Sequence, residues 1–243
     1  MAPNELKDRV ALITGASGAI GMALARQLAS LGASLCLTAR RADALAESLA
    51  EIKSIHSSVI SQPADLLHDD SIHELSRCIR EQFGRLDILI HCAGYLSLGS
   101  VEDASVEEFD RHFRVNVRAP YLVTQLMLPL LKISKGHIVF IDSSVVLHPR
   151  ENVSQYAATK QALRMVADVL RHEVNRHGIR VTNVLPGRTA SRMQESLCKS
   201  EGRAYSPEKL SQPKDVADAV VTTIVMPRTT EVTELSIRPM IKS

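Results

Sequence analysis

No tryptophan occurs in this sequence, and aromatic residues amount to only 3% of it. That scarcity argues against a pocket that grips a large flat ligand by stacking. An excess of one charge is also missing: 29 lysine and arginine residues face 27 aspartate and glutamate residues, a net of +2. So even a balance gives no footprint for nucleic acid or a membrane surface as partner. No run reaches the roughly 18 apolar residues of a membrane-spanning helix. The opening Met1-Ala2-Pro3-Asn4-Glu5 lacks the basic start and apolar stretch of a secretion signal. A cytoplasmic protein is therefore expected. Cysteine is sparse, and Cys36, Cys78, Cys92 and Cys198 show no CxxC spacing, so reduced thiols are expected. His91 and Cys92 are neighbours, but adjacent residues on a strand point to opposite faces, which disfavours a shared metal.

What is present suits one α/β domain over residues 1–243, with 45% hydrophobic and 23% charged residues. Short apolar runs alternate with longer segments of helical period. Strands are expected at residues 9–14, 34–39, 59–63, 86–92, 137–142, 179–185 and 234–238. Helices are expected at residues 18–31, 41–55, 69–83, 105–132, 154–177 and 214–225. Asp69 or Asp70 can cap the third helix. Pro120 lies inside the fourth and predicts a kink or a break there. Alternation from end to end predicts a doubly wound, Rossmann-type parallel sheet of seven strands with helices on both faces. The least regular stretch, residues 188–213, is a candidate substrate lid.

Chemistry concentrates at three places. Thr14-Gly15-Ala16-Ser17-Gly18-Ala19-Ile20-Gly21 joins the first strand to the first helix. Small residues in such a turn let backbone N–H groups approach a pyrophosphate; alone, the pattern also fits a tight turn without a ligand. The second strand ends in Ala39-Arg40-Arg41, where an NAD site usually has a carboxylate for the ribose 2′-hydroxyl. Arginine can pair with a 2′-phosphate, so NADP(H) is favoured over NAD; the other reading makes both arginines an exposed helix start. Tyr156-Ala157-Ala158-Thr159-Lys160 sets a phenol and an ammonium on one helix face. A neighbouring ammonium favours a phenolate, which suits a phenol for proton exchange.

Taken together, these motifs resemble the short-chain dehydrogenase/reductase family, from Val10 to about Pro239. Tyr156 and Lys160 match its Tyr-xxx-Lys pair. Ser143, thirteen residues before the tyrosine, matches its catalytic serine, with Ser144 the neighbour to consider if the loop is shorter. Asn116 matches its helix asparagine. The resemblance implies that Tyr156 exchanges a proton with a carbonyl or alcohol oxygen, that Ser143 polarises that oxygen, that Lys160 holds the cofactor ribose, and that Asn116 supports a water relay. It implies cofactor contacts at Gly15, Ser17, Ile20, Gly21, Arg40, Arg41, Asp65, Leu66, Ala93, Gly94, Pro186, Gly187 and Thr189, besides Tyr156 and Lys160, and no metal. Ser191 stands where the family often has threonine.

Departures from the family pattern are informative. The middle glycine of the turn falls on Ala19, small enough to keep pyrophosphate approach. The family's Asn-Asn-Ala-Gly reads His91-Cys92-Ala93-Gly94, which leaves His91 either a structural hydrogen-bonding group or a pH-sensitive or catalytic one. The ending, Val232 to Pro239, lacks a glycine-rich finish and is similar to NADP-dependent reductases and hydroxy-acid or amino-alcohol dehydrogenases. Tyr95, residues 145–150, Gln155 and the segment from Arg188 would line the substrate pocket. Arg150, Arg188 and Arg192 either meet an acidic substrate or are surface charges. Apolar positions Leu122, Leu126, Leu130, Leu163, Val166 and Leu170 either cover the sheet or pair copies into a homodimer or homotetramer. The expected activity is hydride transfer to or from a small carbonyl or alcohol; the alternative is a cofactor-binding sensor without turnover.

Overall fold

The strand segments are short, apolar and bounded by helix starts, so their only way to hide both faces is a central sheet. The computed structural model, which describes residues 4–241, has that sheet. Its strands are β1 (Val10–Thr14), β2 (Ser34–Thr38), β3 (Val59–Ser61), β4 (Ile88–His91), β5 (His137–Ile141), β6 (Arg180–Pro186) and β7 (Glu234–Ile237). All pair in parallel, in the order β3-β2-β1-β4-β5-β6-β7. The winding reverses between β1 and β4, and in such sheets ligands bind outside the strand ends at that reversal.

The helices are α1 (Ala19–Ser30), α2 (Ala42–Ile55), α3 (Asp69–Gln82), α4 (Val106–Phe113), α5 (Ala119–Ser134), α6 (Ser154–Val174), α7 (Arg192–Ser200) and α8 (Pro213–Val225). One face of the sheet is covered by α1, α2 and α8 through Leu24, Leu28, Leu45, Ile52 and Val220. The other is covered by α3, α5 and α6 through Ile72, Leu75, Met127, Leu163 and Leu170, around Phe140. Doubly wound packing is thus observed. Every residue of β1, β5 and β6 is buried, as strands covered on both faces should be.

Two local expectations need correction, and the break expected near Pro120 is present. Neither Asp69 nor Asp70 caps α3: His68 is the capping residue and makes no side-chain bond there. Both aspartates lie inside the first turn, where their charge complements the helix dipole, and Asp69 pairs with Arg118. The long helix through residue 120 divides into α4 and α5 around a π-helical turn, Arg114–Arg118. Pro120 has no N–H to give the Asn116 carbonyl, and the Ala119 N–H bonds back to the Arg114 carbonyl instead. Residues 188–213, the stretch expected to be least regular, contain α7 and a short 3-10 turn, Pro207–Lys209.

Candidate active site

The glycine turn leaves β1 and enters α1 with little room to spare. Gly15 has φ +66°, and a Cβ there would lie 2.7 Å from the Ala93 Cα. A Cβ on Gly21 would come within 2.4 Å of the Gly15 carbonyl oxygen. Backbone therefore packs on backbone across the gap between the ends of β1 and β4. No side chain caps α1, whose N-terminus is Gly18, and its first turn carries no acidic residue. The first-turn N–H groups are thus left for an external acceptor, which suits a pyrophosphate. Ser17 is exposed and Ile20 half-buried at this mouth.

The neighbouring loops are tied to the turn. The Ala16 N–H donates to the Thr38 carbonyl at the end of β2, and the Ala64 N–H to the Ala39 carbonyl. Arg40, Asp65 and Leu66 therefore share the edge occupied by the glycine turn. Asp65 accepts the Leu67 N–H at 3.0 Å, which shapes its own turn. The two arginines differ. Arg41 is engaged by Asp43 at 2.6 Å, and this pair holds the Asp43 carboxyl down at about 2. Arg40 is exposed and forms no ion pair among the described residues. Thr14 contributes what the sequence did not single out. Its buried hydroxyl oxygen accepts the N–H groups of Cys92 at 3.1 Å and Ala93 at 3.2 Å, so β1 holds the loop leading to Gly94.

Asn116 sits in the π-helical turn and is fully buried. Its Oδ1 accepts the Tyr95 N–H at 2.8 Å; its Nδ2 donates to the Tyr95 carbonyl at 2.9 Å and to the Thr159 hydroxyl at 3.0 Å. Thr159 lies between Tyr156 and Lys160 on α6, so one amide clamps the loop after β4 to the helix carrying the phenol and ammonium. Lys160 lies 5.8 Å above the Tyr156 ring centroid. Its Nζ donates to the Ile141 carbonyl at 3.0 Å, at the end of β5, two residues before Ser143. Ser143 is half-buried, and its Oγ accepts the Val145 N–H at 3.2 Å. Burial pushes the Asp142 carboxyl up to about 7, while Lys160, 3.9 Å away, pulls it back down.

His112 is another group without a sequence signal. It is fully buried, with Nδ1 at 2.7 Å from the Glu108 carbonyl and Nε2 at 3.1 Å from the Ser97 N–H. The pattern requires the neutral ring protonated on Nδ1. It packs against Tyr95 at 4.8 Å and Tyr156 at 6.5 Å, centroid to centroid. His91 takes the structural alternative: it is buried, stacks on Phe140, and bonds the Thr124 hydroxyl at 2.8 Å. Burial pushes its pKa down to about 3, so it stays neutral.

Beyond β6, Pro186 ends the strand and the Gly187 N–H donates to the Ile237 carbonyl. The Thr189 hydroxyl turns back to the Gly187 carbonyl at 3.1 Å. Ser191 caps α7 by accepting the Gln194 N–H at 3.1 Å. Arg150 is engaged by Glu201, just after α7, which links the loop following Ser143 to residues 188–213. Of the three arginines considered for an acidic substrate, Arg150 is thus committed to a surface pair. A depression of about 290 Å³ lies between residues 208–211 and 237–241, and Tyr156 does not line it. Among the described residues, no group of three or more His, Cys, Asp or Glu side chains could hold a metal, and no helix is long and apolar enough to cross a membrane.

Comparison with known proteins agrees with this geometry. A family model described as short chain dehydrogenase matches residues 9–202. The chain is 33% identical over 237 residues to an uncharacterized oxidoreductase of Staphylococcus epidermidis, covering 97% of this chain and 99% of that protein. An alcohol dehydrogenase from the archaeon Thermococcus sibiricus, complexed with 5-hydroxy-NADP, matches with a TM-score of 0.88 at 28% identity, covering 97% of this chain and 98% of that one. A 7α-hydroxysteroid dehydrogenase complexed with NADH shares the fold at TM-score 0.88 and 23% identity, covering 98% of this chain and 96% of that one.

Proposed function

The chain belongs to the short-chain dehydrogenase/reductase family, and from that premise we propose that it is an NADP(H)-dependent oxidoreductase acting on a small carbonyl or secondary alcohol. One observation carries the reading. The buried Lys160 ammonium lies over the Tyr156 ring, on the helix that Asn116 clamps to the loop after β4.

When bound, the cofactor supplies or accepts the hydride. The residues do the rest. The uncapped N-terminus of α1 and the backbone of Gly15 and Gly21 receive the pyrophosphate, with Ser17 and Ile20 at the mouth. Asp65, Leu66, Ala93 and Gly94 border the adenosine half; Pro186, Gly187 and Thr189 border the nicotinamide half. Lys160 holds the nearby ribose and favours the Tyr156 phenolate. In reduction, the Tyr156 O–H bond breaks and its proton passes to the carbonyl oxygen; in oxidation the alcohol proton returns to Tyr156. Ser143 donates to the same oxygen and polarises it. Asn116 orders the water that restores the Tyr156 proton, its main-chain carbonyl lacking an α-helical donor because residue 120 is proline.

Both NADP-type and NADH complexes occur in this fold, so the cofactor choice rests on residues. Arg40 supports NADP(H): it forms no ion pair among the described residues and follows Ala39, where no carboxylate repels a phosphate. Arg41 contributes less, because Asp43 already neutralises it. In Arg40→Ala, the loss of one charge-assisted contact should weaken NADPH binding by about thirtyfold, roughly 2 kcal/mol. NADH binding should change less than about threefold. Titration of both cofactors into both proteins checks this, and equal losses would overturn the preference. Turnover itself is tested by NADPH oxidation across aldehydes, ketones and keto acids.

Homo-oligomer formation through α5 and α6 fits their exposed apolar residues. Tyr121 is 57% exposed, Met165 58% and Val169 50%, beyond what sheet coverage uses. Residues 188–213 serve as the substrate lid of a single catalytic domain. The four free cysteines fit a cytoplasmic setting.

A further inference from the structure

Behind Lys160 lies a buried carboxylate that the reaction as described does not use. Asp142 follows β5, and its side chain is completely inaccessible. Neither oxygen receives a well-aligned hydrogen bond among the described residues, though the Asn183 side chain and the Ser143 N–H lie close enough to hold the carboxyl down. The side-chain amide of Asn183 on β6, also without a well-aligned bond among the described residues, is the nearest neutral side chain to it. Its charged neighbours are Lys160 at 3.9 Å and, further off, Arg164, both on α6. Arg164 is itself paired with Glu234 of β7 at 2.8 Å. Cys92, after β4, is the remaining titratable group beside Lys160, and its burial pushes the thiol up to about 12, so it stays neutral.

A carboxylate buried with so little hydrogen bonding is costly. Its one strong partner is the ammonium that also faces Tyr156. We propose that Asp142 is a positioning residue that, as a carboxylate, offsets the Lys160 charge and thereby keeps Tyr156 protonated, biasing the site toward proton donation and so toward carbonyl reduction. The inference rests on the hydride-transfer reading above. The ammonium alone would favour the phenolate; an adjacent carboxylate cancels part of that field at the phenol oxygen. Asp142 holds no substrate and exchanges no proton with it. Its action runs through Lys160.

The composition makes this measurable without cofactor or substrate. With no tryptophan and four tyrosines, tyrosinate formation can be followed by near-ultraviolet absorbance during an alkaline titration. Comparison with Tyr156→Phe isolates the Tyr156 step. In Asp142→Asn, which keeps the side-chain shape and removes the charge, that step should move to lower pH by about one unit. The pH profile of alcohol oxidation should move the same way. Asp142→Ser should reproduce both shifts if the asparagine variant folds poorly. An unmoved step, or one moved to higher pH, would overturn the proposal; the upward shift would mean that Asp142 serves only to keep Lys160 charged. Failure of the underlying reading looks different, since Tyr156→Phe would then turn over as fast as the unaltered protein.

Discussion

Tyr156→Phe should retain cofactor binding and lose about 10³-fold in turnover, or roughly 4 kcal/mol of transition-state stabilisation. The substitution removes one oxygen and leaves the ring, so the packing of His112 against it at 6.5 Å and the Lys160 ammonium above it are conserved. What disappears is the only phenolic proton placed beside that ammonium. Because the proton moves in the transition state, kcat and kcat/KM should fall together while KM changes little. NADPH affinity should stay within about twofold, as the ring still covers the same surface. Steady-state kinetics with any carbonyl the protein reduces, together with a cofactor titration, decides it. A loss below about tenfold would remove Tyr156 from the proton-donor role.

Asn116→Ala carries the second large effect, on stability as well as turnover. The amide makes three bonds inside a site with no solvent to replace them, to the Tyr95 N–H, the Tyr95 carbonyl and the Thr159 hydroxyl. Thr159 keeps its bond to the Tyr156 carbonyl at 2.9 Å, so the orphans are chiefly the two backbone groups of Tyr95. Leaving them unpaired should cost about 3 kcal/mol, a fall in Tm of about 8 °C for a chain of this size. The loop from Gly94 to Gly99 should also loosen, raising amide hydrogen exchange at Tyr95. Asn116→Asp separates the two halves of the clamp. It still accepts the Tyr95 N–H, but places an acceptor against the Tyr95 carbonyl, and should be no more stable than the alanine variant. An unchanged Tm in Asn116→Ala would show that the amide does not hold this loop.

The contrast between His91 and Asp142 shows how far residue types reach. Both are ionisable residues at the ends of central strands. His91 departs from a family motif and so drew notice; the structure gives it Thr124 and Phe140 as partners and keeps it neutral. Asp142 sits one residue from a motif serine and carried no signal. Its importance comes from α6 folding back to bring Lys160 within 3.9 Å, a contact between residues far apart in the chain. Thr14 and His112 were silent for the same reason, since their partners at Cys92, Ala93 and Ser97 are set by the way loops close.

Local chemistry was legible where one segment carries its own instruction. Apolar runs alternating with helical periods determined a parallel, doubly wound sheet. Gly15 and Gly21 marked the turn, and the spacing of Ser143, Tyr156 and Lys160 carried the resemblance on which the proposed reaction rests. Tertiary structure alone decided which charges are free. It paired Arg150 with Glu201 and buried Asp142 against Lys160. A charge's effect depends on its neighbours and its distance from water, and neither is written at a single position in the chain.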